Sequence, residues 1–279
     1  MYARVRIRRI DKSFAKEPPR ARTRVVNSKK TTTEPTLSTV NGRQVHNKIL
    51  LGLPKDEWVT IFSKLEFVSL PTPTVLNEIG QPIKFAFFLN DGLGSVLSIM
   101  PDGKTVEVGL VGREGFVGLP LTAGFSSSHA RVIMQIAGSG FRIPAREFSI
   151  ALRKCPKLAS SLQGFAQEIA LQSSQVAACN RLHEVDERLA RWLLMSQDRL
   201  DGDLVPLTQE FLAHMLGTRR ASVTVAAGIL QKAGLITYKR GIVKIESRSQ
   251  LLDAACECYG IMTAQIKKWQ AETGSRATP

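Results

Sequence analysis

The chain has 279 residues, 43% of them hydrophobic, a formal charge of +14 and a pI near 10.0. That length and apolar content supply two cores, and the basic balance points to a polyanionic partner. No apolar run approaches the length needed to cross a bilayer, and Cys155, Cys179, Cys256 and Cys258 are too few and scattered for a disulfide framework. A cytoplasmic protein with free thiols and no membrane partner is expected.

Residues 1–30 hold eleven Lys or Arg against Asp11 and Glu17, a net +9. With two prolines and self-repelling charge, a disordered basic arm is expected over 1–42. Such an arm adds non-specific affinity for DNA; a dispensable extension or an early start codon fits the composition equally well. The Arg content loosely resembles a transit peptide, without an apolar signal core. Residues 45–65 then read as two short helices split at Gly52. Trp58, Ile61, Phe62 and Leu65 form the buried face of the second.

From Glu66 to Pro144 the period changes to that of strands. About eight short runs rich in Val, Ile and Phe alternate with turn residues, which predicts a β-sandwich or jelly roll over 43–150. Hairpins are expected at Asn90-Asp91-Gly92 and at Pro101-Asp102-Gly103-Lys104. Helical spacing returns over 145–182. There Leu158, Leu162, Phe165, Ile169, Gln172, Val176 and Cys179 fall at alternating four- and three-residue steps. A dimerisation helix over 151–183 is expected, with Gln172 setting register between two copies; the other reading packs this helix on its own sandwich.

Glu184 to Leu200 forms a further amphipathic helix. Next, L-T-Q-E-F-L-A-H-M-L-G-T-R-R-A-S-V-T-V-A-A-G-I over 207–229 reads as two helices broken at Gly217. Thr208 caps the first. The second presents Thr218, Arg219, Arg220, Ser222 and Thr224 from its first turns, a tip suited to phosphate oxygens and guanine edges. Thr218 stands where the helix-turn-helix pattern usually has an apolar residue and is a candidate cap for the second helix. Two short strands around Lys239-Arg240-Gly241 complete a winged helix-turn-helix over 184–262, its basic wing tip facing a DNA backbone. Ser249 to Trp269 is helical again, and 263–279 is assigned to a C-terminal tail. Cys256 and Cys258 flank Glu257; on a helix their thiols point to different faces, so they are expected to be structural and no metal site is assigned.

Small helices, jelly roll, seam helix and winged helix-turn-helix in this order resemble the Crp/Fnr superfamily of bacterial transcription regulators. The resemblance covers about 45–260 and is most specific in E-R-L-A-R-W-L-L at 187–194 together with 207–224. It implies an α+β homodimer whose recognition helices, 218–230, enter successive major grooves of double-stranded DNA, with RNA polymerase as a further partner. It also implies that Arg220 reads a guanine, while Thr208, Gln209, Thr218 and Ser222 touch phosphates or flanking bases. Ala221 and Val225 depart from it, standing where many members have a glutamate and a second arginine, so the target sequence should differ. The cyclic-nucleotide cassette is degenerate: Leu119 or a neighbour replaces its glutamate, Ser128 stands where its arginine should be, and Arg131 points elsewhere. No tight cyclic-nucleotide binding and no cofactor are expected, and the effector is unassigned. Residues 1–154 lack the cysteine group of the iron–sulfur branch, and His46, His129 and His183 are isolated candidates for haem. A cupin-type enzyme wants a histidine–carboxylate cluster, and the sandwich offers His129 alone. A ligand-independent DNA-binding dimer is the third reading.

Overall fold

The computed structural model describes residues 39–200 and 202–273. The basic arm therefore lies outside the described residues up to 38. Its expected end at 42 is corrected: β1 (Thr39–Val40) and β2 (Arg43–Gln44) pair across Asn41-Gly42, and Val40 is buried. An Asn-Gly pair suits a two-residue hairpin turn, and a buried valine holds it to the body.

Two short helices follow, α1 (Lys48–Leu51) and α2 (Lys55–Phe62). The eight strands predicted between 66 and 144 are all present: β3 (Glu66–Leu70), β4 (Val75–Asn77), β5 (Phe85–Leu89), β6 (Leu93–Ile99), β7 (Thr105–Val111), β8 (Phe116–Val117), β9 (Arg131–Ile136) and β10 (Gly138–Pro144). A one-turn helix, α3 (Leu119–Thr122), interrupts them after β8. They form two antiparallel four-stranded sheets, ordered β3-β10-β5-β8 and β4-β9-β6-β7. The expected hairpin at Pro101–Lys104 joins β6 to β7. The one at Asn90–Gly92 is corrected, because β5 and β6 lie in different sheets. Asn90 takes the His46 amide at 3.0 Å and gives its own to Gln44 O at 2.8 Å, while the Asp91 carboxylate accepts from Ser139 N at 2.6 Å. These side-chain bonds replace the ladder and carry the chain from one sheet to the other.

The long helical region breaks once. α4 (Ala145–Lys154) ends at Cys155, and α5 (Pro156–Leu182) restarts with proline in its first turn. The buried carboxylate of Glu57 accepts from Lys157 N and Leu158 N at 2.8 and 2.9 Å, taking up two orphan donors of α5 and placing a negative charge at its positive end.

The seam residues do not wait for a partner. Leu158, Leu162, Phe165, Ile169, Gln172, Val176 and Cys179 are all buried within the single chain. Phe165 fits against Gly115, where a Cβ would come within 2.1 Å of its ring, and its ring lies tilted against that of Phe116 with centroids 5.8 Å apart. Gln172 accepts from Leu110 N at 3.1 Å. Their expected role as the contact between copies is corrected: an apolar row at heptad spacing packs equally well on its own chain, and here the jelly-roll core takes Leu158, Leu162, Phe165 and Ile169 while Cys179 packs with Cys256 and Cys258. The outward face of α5 is made instead of short or polar residues, among them Ser160, Gly164, Gln167, Ala170, Ser174, Ala177 and Ala178.

Beyond α5 come α6 (Val185–Gln197), β11 (Leu204–Pro206), α7 (Gln209–Met215), α8 (Arg220–Lys232), β12 (Ile236–Lys239), β13 (Ile242–Ile245), α9 (Arg248–Ala254) and α10 (Cys258–Glu272). α6 opens with a reciprocal capping box between Glu184 and Glu187. The 263–279 tail is also corrected. Residues up to Glu272 belong to α10, which buries Tyr259 and Met262, and only 274–279 lie outside the described residues.

Candidate nucleic-acid interface

Gly217 ends α7 with φ +57°, a left-handed conformation that glycine adopts without strain. The Thr218 amide then closes on Ala213 O at 2.9 Å. α8 begins one residue later than the Thr218 cap would require: Arg219 occupies the cap position, and its side chain makes no capping bond. The N–H groups of the first turn are thus covered by no cap side chain, with two guanidinium groups beside them. At α7 the expected cap forms, Thr208 accepting from Phe211 N at 3.2 Å.

Apolar residues set the crossing of the two helices. Leu212, Ala213, Met215 and Leu216 of the first meet Val223, Ala226, Ala227 and Leu230 of the second inside one core. On the outer side Thr224 Oγ1 donates to Gln209 Oε1 at 3.0 Å, a polar tie that fixes both side chains. The wing is a three-stranded sheet ordered β11-β13-β12. Its turn, Arg240 (φ 52°) and Gly241 (φ 77°), has both central residues left-handed, as a type I′ hairpin requires. Tyr238 hydroxyl donates to Leu207 O at 3.0 Å and secures the wing to the start of α7.

All nine residues singled out for this surface are solvent-accessible. Thr208, Arg219, Arg220, Thr224, Lys239 and Arg240 are exposed, and Gln209, Thr218 and Ser222 are half-buried. Arg219 and Arg220 are brought together at the tip of α8, Gln209 and Thr224 are bonded along its flank, and Lys239 and Arg240 stand at the wing. Two apolar residues share this exposed face: Val225 (65% exposed), which the sequence marks only as a departure from the resembled pattern, and Ile229 (47%), which it does not mark.

This unit is also locked onto the jelly roll. Leu93, Leu97, Leu110 and Ile136 of the sandwich belong to the same core as α6 to α9. Trp192 Nε1 donates to Glu107 Oε1 at 2.7 Å, Arg199 pairs with Glu114 at 2.8 Å, and a Cβ on Gly217 would approach Val106 Cγ2 to 3.1 Å. Arg188 donates to the Leu216 carbonyl, joining α6 to the end of α7. Burial pushes the Glu107 carboxyl up to about 7, against the hydrogen bonds from Ser95 and Trp192 that favour its charged form.

In the cassette stretch, Ser128 is buried and its Oγ donates to Ala130 O at 2.6 Å. Arg131 makes a bidentate pair with Glu78 at 2.7 to 3.1 Å. Leu119 opens α3 and is half-buried against the core.

Four residues assigned no shared role are also gathered. Cys256 lies not in a helix but in the break between α9 and α10, so its thiol and that of Cys258 converge on Cys179 and His183. The expectation of two thiols on opposite helix faces is corrected by that break. The hydrogen bond from Cys256 holds the Cys179 thiol well below the ordinary thiol range, aided by Arg191, and the same contact pushes Cys256 up.

A jelly roll followed by a long helix and an arginine-tipped winged helix-turn-helix defines a two-part protein of the winged-helix class. Residues 187–254 match the Crp-like helix-turn-helix domain, and the chain has the fold of the Crp/Fnr transcription regulators. FixK2 from Bradyrhizobium japonicum is 15% identical, with a TM-score of 0.60 over 69% of this chain and 98% of that one. CLP, the c-di-GMP-responsive global regulator of Xanthomonas campestris, is 16% identical, with a TM-score of 0.58 over 70% and 100%. A CRP/FNR-family transcriptional regulator from Thermus thermophilus is 18% identical, with a TM-score of 0.56 over 68% and 98%. No curated protein matches the chain. Among the described residues no helix is long and apolar enough to cross a membrane.

Proposed function

We propose that the protein is a sequence-specific transcription regulator that binds double-stranded DNA as a homodimer in the cytoplasm. The observation that carries this reading is the open N-terminus of α8, with Arg219 and Arg220 exposed beside N–H groups that no cap side chain covers. Arg220 reads a guanine edge. Arg219, Thr208, Gln209, Thr218, Ser222, Lys239 and Arg240 hold phosphates or flanking bases, and Thr224 positions Gln209. Val225 offers an apolar contact of the kind that reads a thymine methyl. The outward face of α5, with Gly164, Ala170, Ser174 and Ala177, is the dimer contact, because short side chains let two helices approach closely. The basic residues of the 1–38 segment add sequence-independent affinity.

The effector is not a cyclic nucleotide. Ser128, where the resembled cassette has its arginine, carries no charge, and Arg131 is paired with Glu78, so neither offers a free cation to a cyclic phosphate. RNA polymerase is the partner that reads the bound state. Selection of binding sites from random duplexes tests the reading: a two-fold motif with half-sites about one helical turn apart supports it, and enrichment of no motif by a folded dimer overturns it.

A further inference from the structure

Outside the DNA-reading surface, three cysteines and one histidine converge at the joint between α5 and α6. Cys179 lies in the last turn of α5, and His183, four residues on, is the residue that ends the helix. Residues four apart share one helical face, so both side chains point the same way. From the far end of the chain Cys256 and Cys258 reach the same point, one from the α9–α10 break and one from the first position of α10. Their ligand atoms all lie within 4.8 Å of one another. Cys179 Sγ is 3.5 Å from Cys256 Sγ, and Cys258 Sγ is 3.5 Å from His183 Nδ1.

The three cysteines are buried and form a cluster separate from both hydrophobic cores. We propose that Cys179, His183, Cys256 and Cys258 bind one tetrahedral divalent ion, zinc by preference, tying the α5–α6 joint to the segment that follows the wing. Zinc–sulfur bonds of about 2.3 Å place tetrahedral neighbours roughly 3.7 Å apart, close to the spacings present. An iron–sulfur cluster interposes several atoms between its thiolates and does not fit that spacing. Three thiolates and one imidazole also suit a borderline-soft ion over calcium or magnesium, which take oxygen ligands.

The surroundings are those of a ligand shell. His183 Nε2 meets the Glu257 carboxylate at 3.1 to 3.2 Å, which places the proton on Nε2 and turns the Nδ1 lone pair toward the sulfurs. Gln175 Nε2 donates to Cys258 Sγ at 3.1 Å, stabilising a thiolate there. Three thiolates around a dication leave one negative charge. Arg191, 3% exposed, acts electrostatically on Cys179, and its Nε has no hydrogen-bond partner. Arg188 is buried beside it, with its Nε also unpartnered. A buried guanidinium needs an anion, and the loaded site supplies it. Cysteines that are protonated in the free protein release their protons on binding, so uptake is accompanied by acidification.

The site does not depend on the DNA-binding reading and is tested without DNA. The full-length chain, purified under reducing conditions and stripped with a chelator, is titrated with cobalt(II) and followed by visible and near-ultraviolet absorption. The expected result is saturation at one equivalent per chain, with the ligand-field bands of a tetrahedral site and thiolate-to-cobalt charge transfer, both bleached by one equivalent of zinc. Cys258→Ser should lower affinity at least about tenfold. Glu257→Ala, at a residue whose side chain is 70% exposed, should lower it by about ten- to a hundredfold by freeing the imidazole. Absence of thiolate bands in the folded wild-type chain overturns the proposal, as does cobalt binding that Cys258→Ser leaves unchanged. A Cys179–Cys256 disulfide whose reduction restores no metal binding overturns it as well.

Discussion

Helices α5 and α8 carry similar sequence patterns, an apolar row along one side and short or polar residues along the other, yet they relate to the outside world differently. In α5 the regular row that looked like a contact for a second chain is spent on the jelly roll, with Phe165 seated on Gly115 and Gln172 bonded to Leu110. In α8 the row holds the helix to α7, and the polar side bearing Arg219 and Arg220 stays open. Periodicity identifies which face is buried; what buries it is settled by tertiary neighbours far away in sequence.

That contrast can be broken most severely on the inward side. Phe165→Ala should cost about 3–5 kcal/mol, read as a lower urea midpoint, because a large ring leaves a void against Phe116. A loss under about 1 kcal/mol would mean that the seam is not sealed by the chain itself. A second strain on the same packing is electrostatic. Glu107 is pushed up to about 7 from an ordinary 4.5, so the folded state binds its proton more tightly than the unfolded chain between those values. Stability should therefore rise as pH falls from about 7 to about 4.5, by on the order of a few kcal/mol, and Glu107→Gln should flatten that part of the profile. Glu168, also pushed up to about 7 by burial and by Glu114, slopes in the same direction.

On the outward side the effects shift from folding to assembly and then to DNA. Ala177→Glu should leave monomer stability within about 0.5 kcal/mol yet yield monomers in sedimentation, since it crowds only the exposed face of α5. Retention of the dimer would move the contact elsewhere. Smallest of all, Lys239→Ala should weaken binding evenly across DNA sequences and lower the salt slope by about 1, as loss of one phosphate contact does.

Much of this architecture could be read from residues alone. All eight strand runs, the Thr208 cap, the break at Gly217 and the wing around Arg240-Gly241 are local signals, and each appears where its local chemistry placed it. What could not be read depends on distance along the chain. Asn90-Asp91-Gly92 has the composition of a hairpin, but side-chain bonds to Gln44, His46 and Ser139 turn it into a crossover. Cys179 and His183 are 77 and 75 residues from Cys256 and Cys258, and only the fold of α6 to α9 closes that gap. The Cys-x-Cys pair was visible, but its partner pair at the end of α5 was concealed inside what looked like a heptad. Val225 stands in the sequence only as a departure from the resembled pattern, and its 65% exposure becomes visible only once Val223, Ala226 and Ala227 are seen to take the inward face of α8.

The most direct test compares wild type with Arg220→Ala on the duplex selected by the wild-type protein and on a scrambled duplex of equal length, at one salt concentration. An arginine that reads a base predicts a loss on the order of tenfold to a hundredfold on the selected site and a much smaller loss on the scrambled one, with specificity relaxed at a single position of each half-site. Equal losses on both duplexes, or none on either, would contradict the assignment of the α8 tip as the element that reads DNA sequence.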